Sequence, residues 1–218
     1  MATTLSGKHG YVFIHIPKTA GRSVFKALQK EADGQDFDSF LEARGIAAPN
    51  TDGQGYLKHH PARYVRKILG AALYDSLESV TVARNPYARI WSLYRYQRLR
   101  DWDAEGQPMP EIFEREFNTF VKELCEKRPR PMHEYVSSRS GERLVKSILK
   151  LESLSDDFAA WSSRIVGVPI TLPEKGRTLG AVEDVPFSEL SVETIQKTYA
   201  LDFEMFDYDT APPRSGAA

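Results

Sequence analysis

Apolar positions along the chain fall into short blocks whose spacing alternates between strand-like and helical. Tyr11 to His15 (YVFIH) is aromatic and β-branched, as a buried strand requires. Pro17 and Gly21 punctuate a turn, and Val24, Phe25 and Leu28 then recur at helical spacing from Arg22 to about Ala32. Pro61 suits the first turn of a helix running to about Leu69. Ser79 to Ala83 (SVTVA) predicts a second strand, broken by Arg84-Asn85-Pro86, with a helix from Pro86 to about Arg100. Glu111 to Lys127 is a helix with Phe113, Phe117, Phe120, Val121 and Leu124 on its apolar face. Leu144 to Leu151 is a third strand candidate. Asp156 is expected to cap a helix through Trp161 toward Val166, and Ser191 a last helix ending near Phe206.

Between these blocks the polar stretches also carry information. Gly34 to Tyr56 is rich in Gly, Asp and Asn and reads as a long surface segment holding a short helix near Phe37 to Ala43. Asp101 to Pro110 reads as a second loop, and Arg128 to Met132 (RPRPM) as extended chain. From Thr210 the tail has no apolar period and is expected to fray. Strands separated by helices predict an α/β fold with a central, mostly parallel sheet flanked by helices. The expected organisation is one domain over residues 1–209 and a disordered tail over 210–218.

Composition narrows the picture. The chain has 218 residues and a formal net charge of −1, which excludes nucleic-acid binding by bulk electrostatics but allows a local basic pocket. Cys125 is the only cysteine, so no intrachain disulfide forms and a reducing, cytoplasmic setting is expected. No signal-peptide pattern and no apolar run of membrane-spanning length is visible.

Candidate chemistry concentrates at two places. His15-Ile16-Pro17-Lys18-Thr19-Ala20-Gly21-Arg22-Ser23 lies between a strand and a helix, where backbone N–H groups point at whatever sits above the helix start. Gly21 allows close approach of backbone to a phosphate, Thr19 and Ser23 offer hydroxyls, and Lys18 offers a mobile charge. The ATP-type loop requires a lysine where this chain has Arg22, so a P-loop-type small-molecule or nucleotide kinase is the alternative reading. The second place is Arg84-Asn85-Pro86-Tyr87-Ala88-Arg89-Ile90-Trp91-Ser92-Leu93-Tyr94. Arg84 ends a strand, where open α/β sheets bind ligands, and Arg89 and Ser92 share a helix face with position 85. A guanidinium fork and a hydroxyl suit a phosphate dianion. Trp91 and Leu93 read as core.

The first stretch resembles the 5′-phosphosulfate loop of the sulfotransferases, Pro-Lys-Thr-Ala/Gly-Gly-Thr/Arg-Ser. The second matches, position for position, that family's 3′-phosphate motif of Arg, x, Pro, two residues, Arg, two residues, Ser, x, Tyr. The resemblance runs from about Tyr11 to Tyr208. It is to the carbohydrate-type branch, which includes the heparan and chondroitin enzymes and soluble bacterial relatives. One departure is Leu172-Pro173-Glu174-Lys175-Gly176, where relatives often carry an asparagine.

The resemblance implies a P-loop-like three-layer fold and transfer of the sulfuryl group from 3′-phosphoadenosine 5′-phosphosulfate (PAPS) to an acceptor hydroxyl, with 3′-phosphoadenosine 5′-phosphate (PAP) as product and no metal. Lys18, Thr19, Ala20, Gly21, Arg22 and Ser23 would hold the phosphosulfate end, and Arg84 and Ser92 the 3′-phosphate. Lys18 would also stabilise the leaving phosphate. The acceptor would be a sugar or glycosylated small molecule, shaped by the loops Gly34 to Tyr56 and Asp101 to Pro110. A general base should titrate near working pH, which favours histidine. Leu57-Lys58-His59-His60-Pro61-Ala62 resembles the family's Lys-His-x-x-Ala segment and puts the base on His59, with His60 in reserve. Glu31 and Glu42 are weaker candidates, His133 is a candidate contact to nucleotide or acceptor, and His9 and His15 are read as structural.

Overall fold

A computed structural model describes residues 3–45, 59–98, 111–127, 130–172, 185 and 187–213. The chain divides into two compact units. One comprises Met1–Ala83 and Met132–Gly176, and the other Arg84–Pro131 and Arg177–Ala218.

The first unit holds a five-stranded sheet of β1 (Thr4–Ser6), β2 (Tyr11–Ile14), β3 (Gln35–Asp36), β4 (Glu78–Ala83) and β5 (Ser147–Lys150), in the order β3-β1-β2-β4-β5. Its helices are α1 (Gly21–Glu31), α2 (Phe37–Glu42), α3 (Ala62–Leu69), α4 (Ala71–Ser76), α7 (His133–Val136) and α8 (Leu154–Val166). The second unit holds α5 (Pro86–Arg98), α6 (Glu111–Glu126), α9 (Glu189–Thr198) and α10 (Ala200–Met205).

The sheet is mixed, a correction to the mostly parallel sheet expected. β2 pairs with β4, and β4 with β5, in parallel, but β1 runs antiparallel to both β2 and β3. The difference arises from Thr4-Leu5-Ser6, too short and too polar to show an apolar period. It folds back on β2 through a turn in which Gly10 has φ of 67° and donates its N–H to the Ser6 carbonyl at 3.0 Å.

One sheet face presents Tyr11, Phe13, Val80, Val82 and Leu149 to Val24, Ala27 and Leu28 of α1 and to Leu154, Phe158 and Trp161 of α8. Each large side chain so buried contributes about 1.5–3 kcal/mol. The Tyr11 hydroxyl donates to the Ala32 carbonyl at 3.0 Å, so α1 is latched to β2 at its far end as well as through the loop that starts it. Glu78 of β4 accepts from Ser147 of β5 and from Arg164 of α8, tying two strands and a helix together.

The second unit has an aromatic core. Tyr87, Trp91 and Tyr94 of α5 pack with Phe117, Phe120 and Val121 of α6 and with Ile195, Tyr199 and Phe203. Trp91 and Tyr94 stack at 5.6 Å, and Phe117 meets both rings edge-on.

Two helix starts differ from expectation. α8 begins at Leu154 because Asp157 acts within its first turn, accepting from the Lys150 N–H at 3.0 Å and the Ser153 hydroxyl at 2.8 Å. The helix expected from Ser191 begins earlier, with Ser188 as its cap accepting from the Ser191 N–H at 3.2 Å, and it breaks at Tyr199. The Thr210 carbonyl accepts from Tyr87 Oη at 2.7 Å and Gln196 Nε2 at 2.9 Å, while residues 214–218 lie outside the described ones. Among the described residues no helix is long and apolar enough to cross a membrane.

Candidate functional site

The connection from β2 to α1 is backbone under tension. Lys18 and Ala20 sit in the left-handed region, with φ of 71° and 56°. L-residues avoid that region by about 1 kcal/mol or more each, and such strain persists where the surroundings over-determine it. Here the fully buried Thr19 donates its hydroxyl to the Ile16 carbonyl at 2.9 Å, closing the turn between the two strained residues. That bond commits the Thr19 proton to the loop itself. α1 then starts without a side-chain cap, and the Ser23 N–H donates to the Ala20 carbonyl at 2.9 Å. Lys18, Ala20 and Ser23 are half-buried and Arg22 is exposed.

Gly21 has a reason beyond approach to a ligand. A Cβ there would overlap the imidazole of His15. His15 is 6 % exposed, stacked 6.0 Å from the Phe13 ring on one side and edge-on to the His59 ring at 4.3 Å. So the ring read from sequence as structural joins His59 to the start of α1. The contact joins positions 44 apart, so no local pattern in the sequence signals it.

The two adjacent histidines have opposite surroundings. His59 is half-buried. His60 is 1 % exposed, with Nε2 2.8 Å from Asp38 Oδ1, its ring stacked on Tyr64 at 5.1 Å and edge-on to Phe37 at 5.4 Å. The His60 carbonyl accepts from Thr3 Oγ1 at 3.3 Å. Asp38 belongs to α2, where Asp36 caps the first turn by accepting from the Asp38 and Ser39 N–H groups at 3.1 and 3.3 Å. Asp38 was absent from the sequence reading because its partner lies 22 positions away. Leu57 and Lys58 lie outside the described residues, as do 46–56 and 101–110 of the two loops expected to shape an acceptor pocket.

The second unit carries the other motif. Arg84 follows β4 directly and is buried, as are Ser92 and Tyr94. Asn85, unassigned from sequence beyond its helix face, is the cap of α5: its Oδ1 accepts from the Tyr87 N–H at 2.9 Å, and its carbonyl accepts from the Arg89 N–H at 2.9 Å. Arg89 donates from Nη2 to the Arg130 carbonyl at 3.2 Å, so this guanidinium also orders the segment after α6. Trp91 is core. His133, in the first unit, opens α7, and its carbonyl accepts from the Ser137 hydroxyl at 2.7 Å. Among the described residues no three His, Cys, Asp or Glu side chains form a metal-binding group.

A model of the sulfotransferase family matches residues 1–209. No curated protein and no solved structure matches the chain. The match covers nearly the whole sequence, and the chain belongs to the sulfotransferase family.

Proposed function

From this family membership we propose that the chain transfers the sulfuryl group of PAPS to an acceptor hydroxyl on a sugar or glycosylated small molecule. The observation that carries the reading is the left-handed pair Lys18 and Ala20 at the position of the family's phosphosulfate loop. Two strained non-glycine residues around a buried hydroxyl fix the course of the loop ahead of a helix start without a side-chain cap, an arrangement that suits an anion.

The roles follow from the resemblance to the family's motifs together with the chemistry of the residues that stand there. The loop from Lys18 to Ser23 holds the phosphosulfate end of the donor through backbone N–H groups, the Ser23 hydroxyl and the Lys18 charge. Arg84 and Ser92 take the 3′-phosphate, a guanidinium and a hydroxyl suiting a dianion. The donor supplies a sulfur atom bonded to a good leaving phosphate. His59 removes the acceptor proton as the acceptor oxygen bonds to sulfur. Lys18 neutralises the phosphate oxygen released as the sulfur–oxygen bond breaks. What favours His59 over His60 is the 4.3 Å ring contact with His15, which itself covers Gly21, against the enclosure of His60 by Asp38, Tyr64 and Phe37.

Thermal unfolding with and without excess PAP tests the donor assignment. A ligand at a hundred times its Kd stabilises by about 2.7 kcal/mol, a rise of roughly 5–10 °C in Tm for a chain of this size. The rise is expected in the wild type and lost in Arg84→Ala. No shift with PAP, alongside a clear one with ATP and Mg²⁺, would make the protein a phosphotransferase.

A further inference from the structure

The first unit also holds a basic cavity away from the strained loop. It has a volume of about 900 Å³, and six cations line it: Arg63, Arg66, Lys67, Arg139, Arg143 and Lys146. Among the described residues only two carboxylates, Asp75 and Glu142, line it with them. Its lining includes Ser79, the second residue of β4, and Lys146, which immediately precedes β5. The cavity therefore lies at the amino-terminal ends of the parallel strands. The loop from His15 to Ala20 leaves the carboxyl end of β2, which runs parallel to β4. The two lie at opposite ends of the sheet's parallel strands.

Three of the six cations build the walls. Arg66 grips Asp75 with two parallel hydrogen bonds of 2.8 and 2.7 Å, holding that carboxyl below its ordinary range. Lys146 Nζ donates to the carbonyls of Asp75 and Leu77 at 2.7 and 2.6 Å, and Arg63 Nη1 to that of Glu134 at 2.6 Å. The Tyr74 hydroxyl donates to the Leu144 carbonyl at 3.2 Å, and burial pushes its phenol up to about 12, so this wall stays neutral. The side chains of the remaining three cations, Lys67, Arg139 and Arg143, make no hydrogen bond or ion pair among the described residues. Two of them are carried on a built turn. Ser137 bridges Arg143, the Ser138 N–H donates to the Glu142 carbonyl at 2.8 Å, and Gly141 takes φ of 87°.

An excess of four positive charges in one cavity, in a chain of net charge −1, calls for an anionic occupant. Guanidinium groups match tetrahedral oxyanions in shape as well as charge. The volume falls in the range of small-ligand sites, about 300–1,000 Å³. We propose that this cavity is a second binding site, taking a small ligand that carries two or more phosphate or sulfate groups, held by Lys67, Arg139 and Arg143. The assignment is independent of the donor reading.

The test is a titration of the ¹⁵N-labelled full chain, followed by amide shifts, with tripolyphosphate in one arm and sucrose octasulfate in the other. Saturable shifts at Gly70, Arg139 and Arg143 are expected, with Kd raised about tenfold or more in Arg139→Ala/Arg143→Ala and also raised in Lys67→Gln. Because both arginines are exposed, the double variant should melt with the wild type. Response to tripolyphosphate alone identifies a phosphorylated ligand, to the octasulfate alone a sulfated one, and to both a site that reads charge density. Shifts confined to other residues, such as Gly21, or a Kd unchanged in the double variant, would overturn the proposal, as would no binding in either arm.

Discussion

Gly21 is the residue on which two requirements meet. It opens α1, and the volume its Cβ would take belongs to the His15 ring. Gly21→Ala should therefore cost about 1–3 kcal/mol of stability, the usual penalty for an extra methyl in a filled space. In a His15→Ala background the same change should cost much less. Urea unfolding of the four proteins measures that coupling, and strict additivity would mean that the glycine serves something other than the ring. The two adjacent histidines should separate by readout. His59→Ala is expected to lower kcat by about 10²–10⁴-fold, the span for a positioned base, with little change in Tm. His60→Ala removes an imidazole bonded to Asp38 and stacked on Tyr64, and should lower Tm. Loss of turnover in His60→Ala at an unchanged Tm would move the base to His60.

At the scale of elements, the contact that joins β4, β5 and α8 is also a titrating one. Burial alone would raise the Glu78 carboxyl, but the hydrogen bonds from Ser147 and Arg164 and the guanidinium charge outweigh it and hold it below the usual range. A depressed carboxylate contributes stability above its unfolded pKa, and that contribution is lost as pH falls through the lower folded value. Glu78→Gln should thus be less stable than the wild type at pH 7. The gap should close below pH about 4.5, as the carboxylate protonates. Urea midpoints at pH 7 and pH 3 check it, and a gap of equal size at both would remove Glu78 from the linkage.

The elements that sequence revealed were those whose burial is periodic. β2, β4, α1, α5 and α6 each bury a run of apolar residues at one spacing, and their positions were readable to within a few residues. β1 and β3 were not, because Thr4, Ser6, Gln35 and Asp36 carry no apolar period and are held by ladder bonds to a distant neighbour. α4 and α7 are too short for periodicity to speak. At the site, the residue types of both motifs were legible because their spacing is local. Asp38 beneath His60, and His15 between Gly21 and His59, depend on folding across 22 and 44 positions, and nothing local announces them.

The whole molecule carries almost no net charge, yet distributes it unevenly, with an excess of four cations around one cavity of the first unit. Its connectivity is uneven too. Each compact unit is made from two separate stretches of chain, interleaved so that the first unit opens, the second begins, the first resumes and the second closes. This has a consequence for the order in which the protein can mature during its own synthesis. When Ala83 has emerged, the sheet exists only from β3 to β4, and the apolar side of β4 waits for β5 and α8, more than sixty residues later. The aromatic helices α5 and α6 are made in that interval, and their partners α9 and α10 come last of all. A ribosome stalled midway therefore holds two half-cores at once, and no single cut in the chain releases either unit whole.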